Sequence, residues 1–395
     1  MGGPDQRLVT GGSVQLPTRV RPPAAATPST SRIGTCHAYN RTDVTPRGTD
    51  WSLALLVSLL FATGLLSWFS GAEGDAWVFA AHGIGGAALA ILLAWKLRRV
   101  AGRVLDPGSW DRRTGAGLMV LALVALTLLS GWVWSTFGGV DLPGYTLIAW
   151  HTLLGMLLTV AVAVHLGFRA KRPRRRDIAS RRQLLEAAAI GLGGLIAWRV
   201  QRPLSAALGL PGVDRRFTGS YEADSFAANA FPTTSWVADD PKPLDPRSYR
   251  LAVEGEVVRP LSLPLEELDG RDELVATLDC TGGFYSEQRW RGIRLARLLE
   301  RAEPRPDARH VRVISVTGYR WSFSLDDARE MLIATRVGGE PLSHGHGAPA
   351  RLVAPGRRGF QWVKWVTRVE LHSESDPGAF PSTIISSFSA AGRGA

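Results

Sequence analysis

Four apolar runs crowd the first half of this chain, at residues 51–69, 77–97, 115–134 and 145–168. Each approaches the roughly 20 residues that a helix needs to cross a hydrocarbon layer. Inside such a layer every backbone N–H and C=O must find its partner within the segment, so these runs have one outcome, a bundle of helices. Tryptophans collect at their ends (Trp51, Trp68, Trp77, Trp95, Trp132 and Trp134), where an amphipathic ring suits the membrane–water boundary. A fifth, weaker run at 184–198 is rich in Gly and Ala and is closed by Arg199 and Arg202. It reads as a fifth span or as an amphipathic or buried helix, giving a bundle of four or five spans.

The net charge of +11 would suit a nucleic-acid partner, but its placement argues against one. Basic residues gather in two short clusters beside apolar runs, one from Lys96 to Arg113 and one from Arg169 to Arg182. Such clusters mark the cytoplasmic side of spans, and the loops at 70–76 and 135–144 carry no base and face outside. The expectation is a multi-pass cell-membrane protein in contact with lipid and binding no nucleic acid. Its N-terminus is cytoplasmic, and everything after Arg202 is extracytoplasmic. Residues 1–48 are polar, rich in Pro, Gly, Ser, Thr and Arg, and read as a disordered basic tail unlike a secretory signal. The run Ser180-Arg181-Arg182-Gln183-Leu184-Leu185 before a Gly/Ala-rich helix resembles a twin-arginine export signal.

The membrane half, 49–202, holds three histidines: His82, His151 and His165. Ionisable side chains inside spans are costly and point to function. His82 and His151 lie at nearly the same depth, near the outer ends of the second and fourth runs. Imidazoles at one depth on two helices can clamp a haem iron from both faces, and Gly86 and Gly155, each four residues on, leave room for a flat ring. The alternative is a pair of packing histidines. His165 follows His151 by 14 residues, about 21 Å along one helix face. The matching position on the second run is Lys96, so His165 reads as a second haem ligand or as an interfacial histidine. The segment is similar to b-type cytochrome subunits that exchange electrons with quinones. That similarity implies at least one haem b and the quinone pool as partner.

After an extended connector at 203–248 the texture becomes that of a soluble α+β domain, with its core at 249–375 and a tail at 376–395. Short strand-like runs at 249–258, 273–279, 310–316, 351–354 and 362–371 alternate with helical pieces at 295–301 and 325–332, the second capped by Ser324. Cys280 is the only cysteine here; Cys36 lies in the tail. One thiol excludes a disulfide within the domain, an iron–sulfur cluster and a Cys-rich zinc site. It leaves a buried small hydrophobe, a nucleophile or a single thiolate ligand.

Three stretches carry a family resemblance: Asp279-Cys-Thr-Gly-Gly-Phe-Tyr285 with Trp290-Arg-Gly-Ile-Arg-Leu295; Val316-Thr-Gly-Tyr319; and the segment from Gly339 through His346, Arg351 and Gly359 to Trp365. Together they resemble the sulfite oxidase family of molybdenum enzymes over about 218–375, with a weaker match at Phe231-Pro-Thr-Thr-Ser-Trp236. The resemblance implies a multi-domain protein, a transmembrane bundle followed by an α+β molybdopterin-binding domain. It implies Cys280 as molybdenum ligand and His346, Arg351 and Lys364 as pterin- and phosphate-binding residues, with Arg357, Arg358, Thr317 and Tyr319 as further candidates. Where sulfite oxidases follow the cysteine with arginines that bind sulfite, this chain has Thr281-Gly-Gly-Phe-Tyr285; Arg289, Arg291 or Arg320 could still line the site. The expected activity is a two-electron oxygen-atom transfer, by analogy with methionine sulfoxide reductases the reduction of an S- or N-oxide. The alternatives are oxidation of a small sulfur compound such as sulfite, and a membrane-anchored sensory or binding module without a metal.

Overall fold

The computed structural model describes residues 46–139, 141–142, 145–169, 181–234, 241–270 and 272–376. Cys36 and most of the N-terminal tail, the loop before Arg181, Ser235 and Trp236, and nearly all of the C-terminal tail lie outside the described residues.

The apolar runs form helices α1 (Pro46–Ser67), α2 (Ala76–Val104), α3 (Arg112–Phe137), α4 (Leu147–Arg169) and α5 (Arg181–Ala207). All five are long and apolar enough to cross a membrane. Asp111 starts α3 by accepting a hydrogen bond from the Thr114 N–H, and Gly138, at φ 75°, ends it. A two-residue ladder of β1 (Asp141–Leu142) and β2 (Tyr145–Thr146) leads into α4. Helix α5 continues through Pro203, well past the 198 at which its apolar run stops. Its Gly/Ala content has a packing reason: a Cβ on Gly194 would stand 2.7 Å from the Ile84 carbonyl of α2. Small residues let the two backbones approach that closely. The bundle buries a small core of Val57, Leu89, Val124 and Leu158 and turns large apolar side chains such as Leu55, Val160 and Phe168 outward. Such an outer face suits lipid and is avoided by helices that face water.

The remainder is an α+β domain of two sheets. Its elements are β3 (Tyr221–Glu222), β4 (Arg250–Gly255), β5 (Leu261–Pro264), α6 (Leu265–Leu268), β6 (Asp272–Asp279), β7 (Phe284–Arg294), α7 (Leu295–Ala302), β8 (His310–Ser315), β9 (Arg320–Ser324), α8 (Leu325–Arg329), β10 (Leu332–Val337), β11 (Glu340–Pro341), β12 (Arg351–Val353) and β13 (Val366–His372). One sheet runs β11-β10-β7-β3, with β12 on β10 and β6 on β7; the other runs β5-β4-β13-β8-β9. Between them lies a core that includes Leu298, Leu299, Val313, Ile333, Trp290 and Trp362, all buried. Ser324 caps α8 by accepting from the Asp327 N–H, as expected.

The two halves meet through aromatic and backbone contacts. Phe69 packs on Trp321 and Phe360. Trp134 Nε1 donates to Gly219 O at 2.9 Å, and the Tyr221 hydroxyl donates to Trp134 O at 2.7 Å.

Candidate cofactor sites

Strand β6 delivers Cys280 into a tight turn. The Cys280 N–H donates to Phe284 O, and the Gly283 N–H donates to Cys280 O. Gly283 holds φ 99°, and a Cβ there would collide with the Trp134 ring; only glycine meets both demands. The thiol is buried, with the Gly282 N–H donating to Sγ at 3.3 Å and Thr234 Oγ1 at 3.5 Å. Burial pushes its pKa up, against those two contacts and nearby Arg358. Such a thiol is a poor nucleophile without a cation on the sulfur.

Beside it, Asp279 is 1 % exposed and accepts four hydrogen bonds. Arg216 at 2.8 Å and Thr218 at 2.7 Å bind Oδ2; Ser220 and Arg358, both at 2.7 Å, bind Oδ1. Arg358 also reaches Cys280 O at 3.3 Å. Asp279 stands next to Cys280 in the sequence, but nothing local gives it a part. Its donors lie 59 to 79 residues away, and no local spacing signals them.

Arg351 is 2 % exposed, stacks over Trp290 and Trp362, and donates to His346 O at 3.1 Å. It has no carboxylate partner among the described residues, and its Nε has no hydrogen bond. Burial drops its pKa to about 9. Lys364 donates to Thr234 O at 2.8 Å and Gly345 O at 2.6 Å. His346 is fully engaged: Nε2 donates to Phe231 O at 2.9 Å, so Nδ1 accepts from Ser343 Oγ at 2.7 Å. Burial, then Arg351 and Lys364, lower its pKa to about 4. Cys280, Thr234, His346, Arg351 and Lys364 line one space of about 30 Å³.

The other expected residues stand apart from that space. Arg357 pairs with Asp327 at 2.8 Å, Thr317 Oγ1 bonds Ser315 Oγ at 3.1 Å, and Tyr319 donates to Phe360 O. Arg289 pairs with Glu273 and Arg320 with Asp376. None of these five, nor Arg291, lines the space beside Cys280. Arg358 joins the site through Asp279 and the Cys280 carbonyl. The residues fit a molybdopterin in chemistry: one buried thiol, and an unneutralised guanidinium with an open N–H for an anionic group.

The second site lies in the bundle. A cavity of about 1360 Å³ is lined by His82 and His151 and extends to Thr281 and Arg358 beside Cys280. The two imidazole centroids stand 6.1 Å apart. Their tautomers follow from their partners. Thr63 spends its proton on the carbonyls of Leu59 and Leu60, so it accepts from His82 Nδ1 at 3.0 Å. His151 Nδ1 lies 3.0 Å from Thr127 O, which can only accept. Both rings therefore carry their proton on Nδ1 and keep the Nε2 lone pair, the form that ligates a metal. Gly86 and Gly155 line the same cavity with nothing within 4 Å of where a Cβ would stand. Two ligating nitrogens and two open glycine faces fit a haem. His165 does not line this cavity, and Lys96 is paired with Asp50 at 2.8 Å.

Comparison with known proteins follows the α+β half. Residues 238–380 match the family described as the oxidoreductase molybdopterin binding domain. The chain is 27 % identical over 231 residues to the protein-methionine-sulfoxide reductase catalytic subunit MsrP of Ralstonia nicotianae, covering 50 % of this chain and 70 % of that protein. It is 33 % identical over 165 residues to human mitochondrial sulfite oxidase, covering 33 % of this chain and 30 % of that one. The sulfane dehydrogenase SoxCD of Paracoccus pantotrophus matches at 26 % identity with a TM-score of 0.33, over 34 % of this chain and 40 % of that one. Residues 238–380, which hold the buried Cys280 and the unneutralised Arg351 facing one space, thus match a molybdopterin-binding oxidoreductase domain and are similar to MsrP and the sulfite oxidases.

Proposed function

We propose that the chain is a membrane-anchored molybdenum oxidoreductase that reduces an S-oxide, taking electrons from the quinone pool by way of a haem b held between His82 and His151. The observation that carries this reading is the single cavity whose lining includes both histidines and also Thr281 and Arg358, the neighbours of Cys280. The five apolar helices supply the anchor, with the basic clusters cytoplasmic and the catalytic domain outside. When bound, the molybdenum centre supplies oxygen-atom transfer: an S-oxide, two electrons and two protons give the sulfide and water.

The chain's own residues prepare the place for it. Cys280 provides the thiolate; Asp279, through Arg358, Arg216, Thr218 and Ser220, fixes the turn that aims it. Arg351 and Lys364 provide positive charge for the pterin and its phosphate. The MsrP relative, aligned over more of its own length than the sulfite oxidases, favours S-oxide reduction over sulfite oxidation. The absence of arginines directly after Cys280 points the same way.

The test is metal content with a reduced-minus-oxidised spectrum of the purified full chain, for wild type and His82→Ala. Turnover is then compared with methionine sulfoxide and with sulfite. The expected result is molybdenum in both proteins, b-type bands in wild type alone, and methionine sulfoxide as the better substrate. Absence of molybdenum and of b-type bands from wild type overturns the reading.

A further inference from the structure

The bundle cavity changes character along its depth. The histidine pair stands part-way down it, with Ala90 and Thr159 lining it below. Its upper wall includes residues 215–219, on the way from α5 into β3. Two contacts fix the height of that wall. The Phe217 ring meets the Phe79 ring at 5.7 Å, and Phe79 stands three residues before His82 on α2. Gly219 O accepts from Trp134, which stands three residues after Gly131 on α3, and a Cβ on Gly131 would lie 2.9 Å from the His151 ring. Three residues are close to one helical turn, so the segment crosses roughly 5 Å above both imidazoles.

This wall is cationic. Arg202, Arg215 and Arg216 all line the cavity. Arg216 is committed to Asp279 at 2.8 Å. Arg215 is half-buried and Arg202 exposed at the rim, and neither forms an ion pair among the described residues. Burial lowers the Arg215 pKa; the Tyr221 hydroxyl opposes that and the charge of Arg202 adds to it. A half-buried guanidinium in a mostly apolar cavity, with a second at the rim to repel it, is costly unless an anion joins them. A haem held by the two histidines brings two carboxylates at its edge, and guanidinium is the side chain best shaped to hold carboxylate.

We propose that Arg215 and Arg202 bind the propionate carboxylates of the haem held between His82 and His151. This rests on the haem reading given above. The phosphate of an anionic lipid headgroup offers the same charge, so the test separates the two.

Full-length chain, made without added haem precursor and purified in neutral detergent, is titrated with haemin and with haemin dimethyl ester, which keeps iron and ring but lacks both carboxylates. Wild type is expected to bind haemin at least about tenfold tighter than the ester, or about 1.4 kcal/mol. Arg202→Gln/Arg215→Gln is expected to bring that ratio near one while still binding the ester. Arg215→Lys, which keeps the charge, is expected to retain most of the discrimination and guards against a folding defect. Equal binding of haemin and ester by wild type overturns the inference and leaves the haem reading standing. Failure of wild type to bind either with a bis-imidazole spectrum overturns the haem reading itself. Discrimination that survives in the double variant overturns the assignment to these arginines. Discrimination abolished in wild type by phosphatidylglycerol, but not by phosphatidylcholine, assigns them to lipid instead.

Discussion

The histidine pair of the helical half faces about 1360 Å³ of open space, whereas Cys280 in the α+β domain shares about 30 Å³ with Arg351 and Lys364. Around its cavity the bundle gathers Val57, Leu89, Val124 and Leu158 into one small buried cluster, whereas the domain packs 35 of the described residues into one. A cofactor that binds only the folded chain stabilises the part that holds it, so each half should answer to loss of its own cofactor and not of the other. The two halves should therefore respond differently when their chemistry is removed.

The largest contrast comes from Cys280→Ser. Loss of a group that only hydrogen-bonds a metal ligand already costs about 10–100-fold in metal affinity or activity, so loss of the thiolate itself should cost more than about 100-fold in molybdenum-dependent turnover. The b-type spectrum should barely move, while the domain loses whatever stability its cofactor supplies. A variant that kept molybdenum-dependent activity would remove Cys280 from the site. One that lost both cofactors would show that the two sites depend on each other.

Asp279→Ala is next, and it acts on structure. A carboxylate with 1 % exposure that satisfies two arginines and two hydroxyls leaves the buried Arg358 and the partly buried Arg216 unpaired when it is removed. Breaking a buried pair in this way costs about 3–5 kcal/mol. Denaturant unfolding of the full chain in detergent should show that loss in the domain transition. A loss below about 1 kcal/mol would mean that water reaches the cluster.

Legibility in the sequence divides along the same line. A run of some 20 apolar residues is long enough to read as one helix, so α1 to α4 are legible from hydropathy, and α5 is weaker because glycines such as Gly194 serve close packing. In the domain, β6, β8 and the cap at Ser324 were legible from alternation and capping chemistry. The long strand β7 was not. Its inward positions include Ser286 and Gln288, buried polar residues that hydrogen-bond each other and Asp224 O, so its apolar alternation is broken. Motif likeness put His346, Arg351 and Lys364 near Cys280 but also nominated Arg357, Thr317 and Tyr319, whose partners hold them elsewhere. Contacts made across many residues, such as those of Asp279, leave no periodic trace.

A smaller effect separates the halves by pH. His346 is held neutral in the fold with its pKa lowered to about 4, against 6.5 for the free side chain. Between those values the unfolded chain binds a proton that the folded domain refuses, so stability rises with pH across the window. Domain stability should therefore be complete above about pH 6.5 and fall as the pH drops toward 4, by up to about 1.4 kcal/mol per unit. His346→Gln should flatten that slope. A slope unchanged in the variant would assign the pH dependence to other groups.

The smallest change tests the seam between the halves. The Tyr221 hydroxyl donates to Trp134 O at 2.7 Å, and the Trp134 ring lies against Gly283 in the Cys280 turn. Tyr221→Phe keeps the ring contact of 5.6 Å with Trp134 and removes only that bond. A net hydrogen bond contributes about 0.5–1.5 kcal/mol, so neither half should unfold on its own account. The readout is cooperativity. If the bundle and the domain melt together in wild type, weakening the seam should begin to split the transition. If they melt separately in wild type, the variant should leave both midpoints within about a degree, and the seam then sets geometry between the cofactor sites without sharing stability.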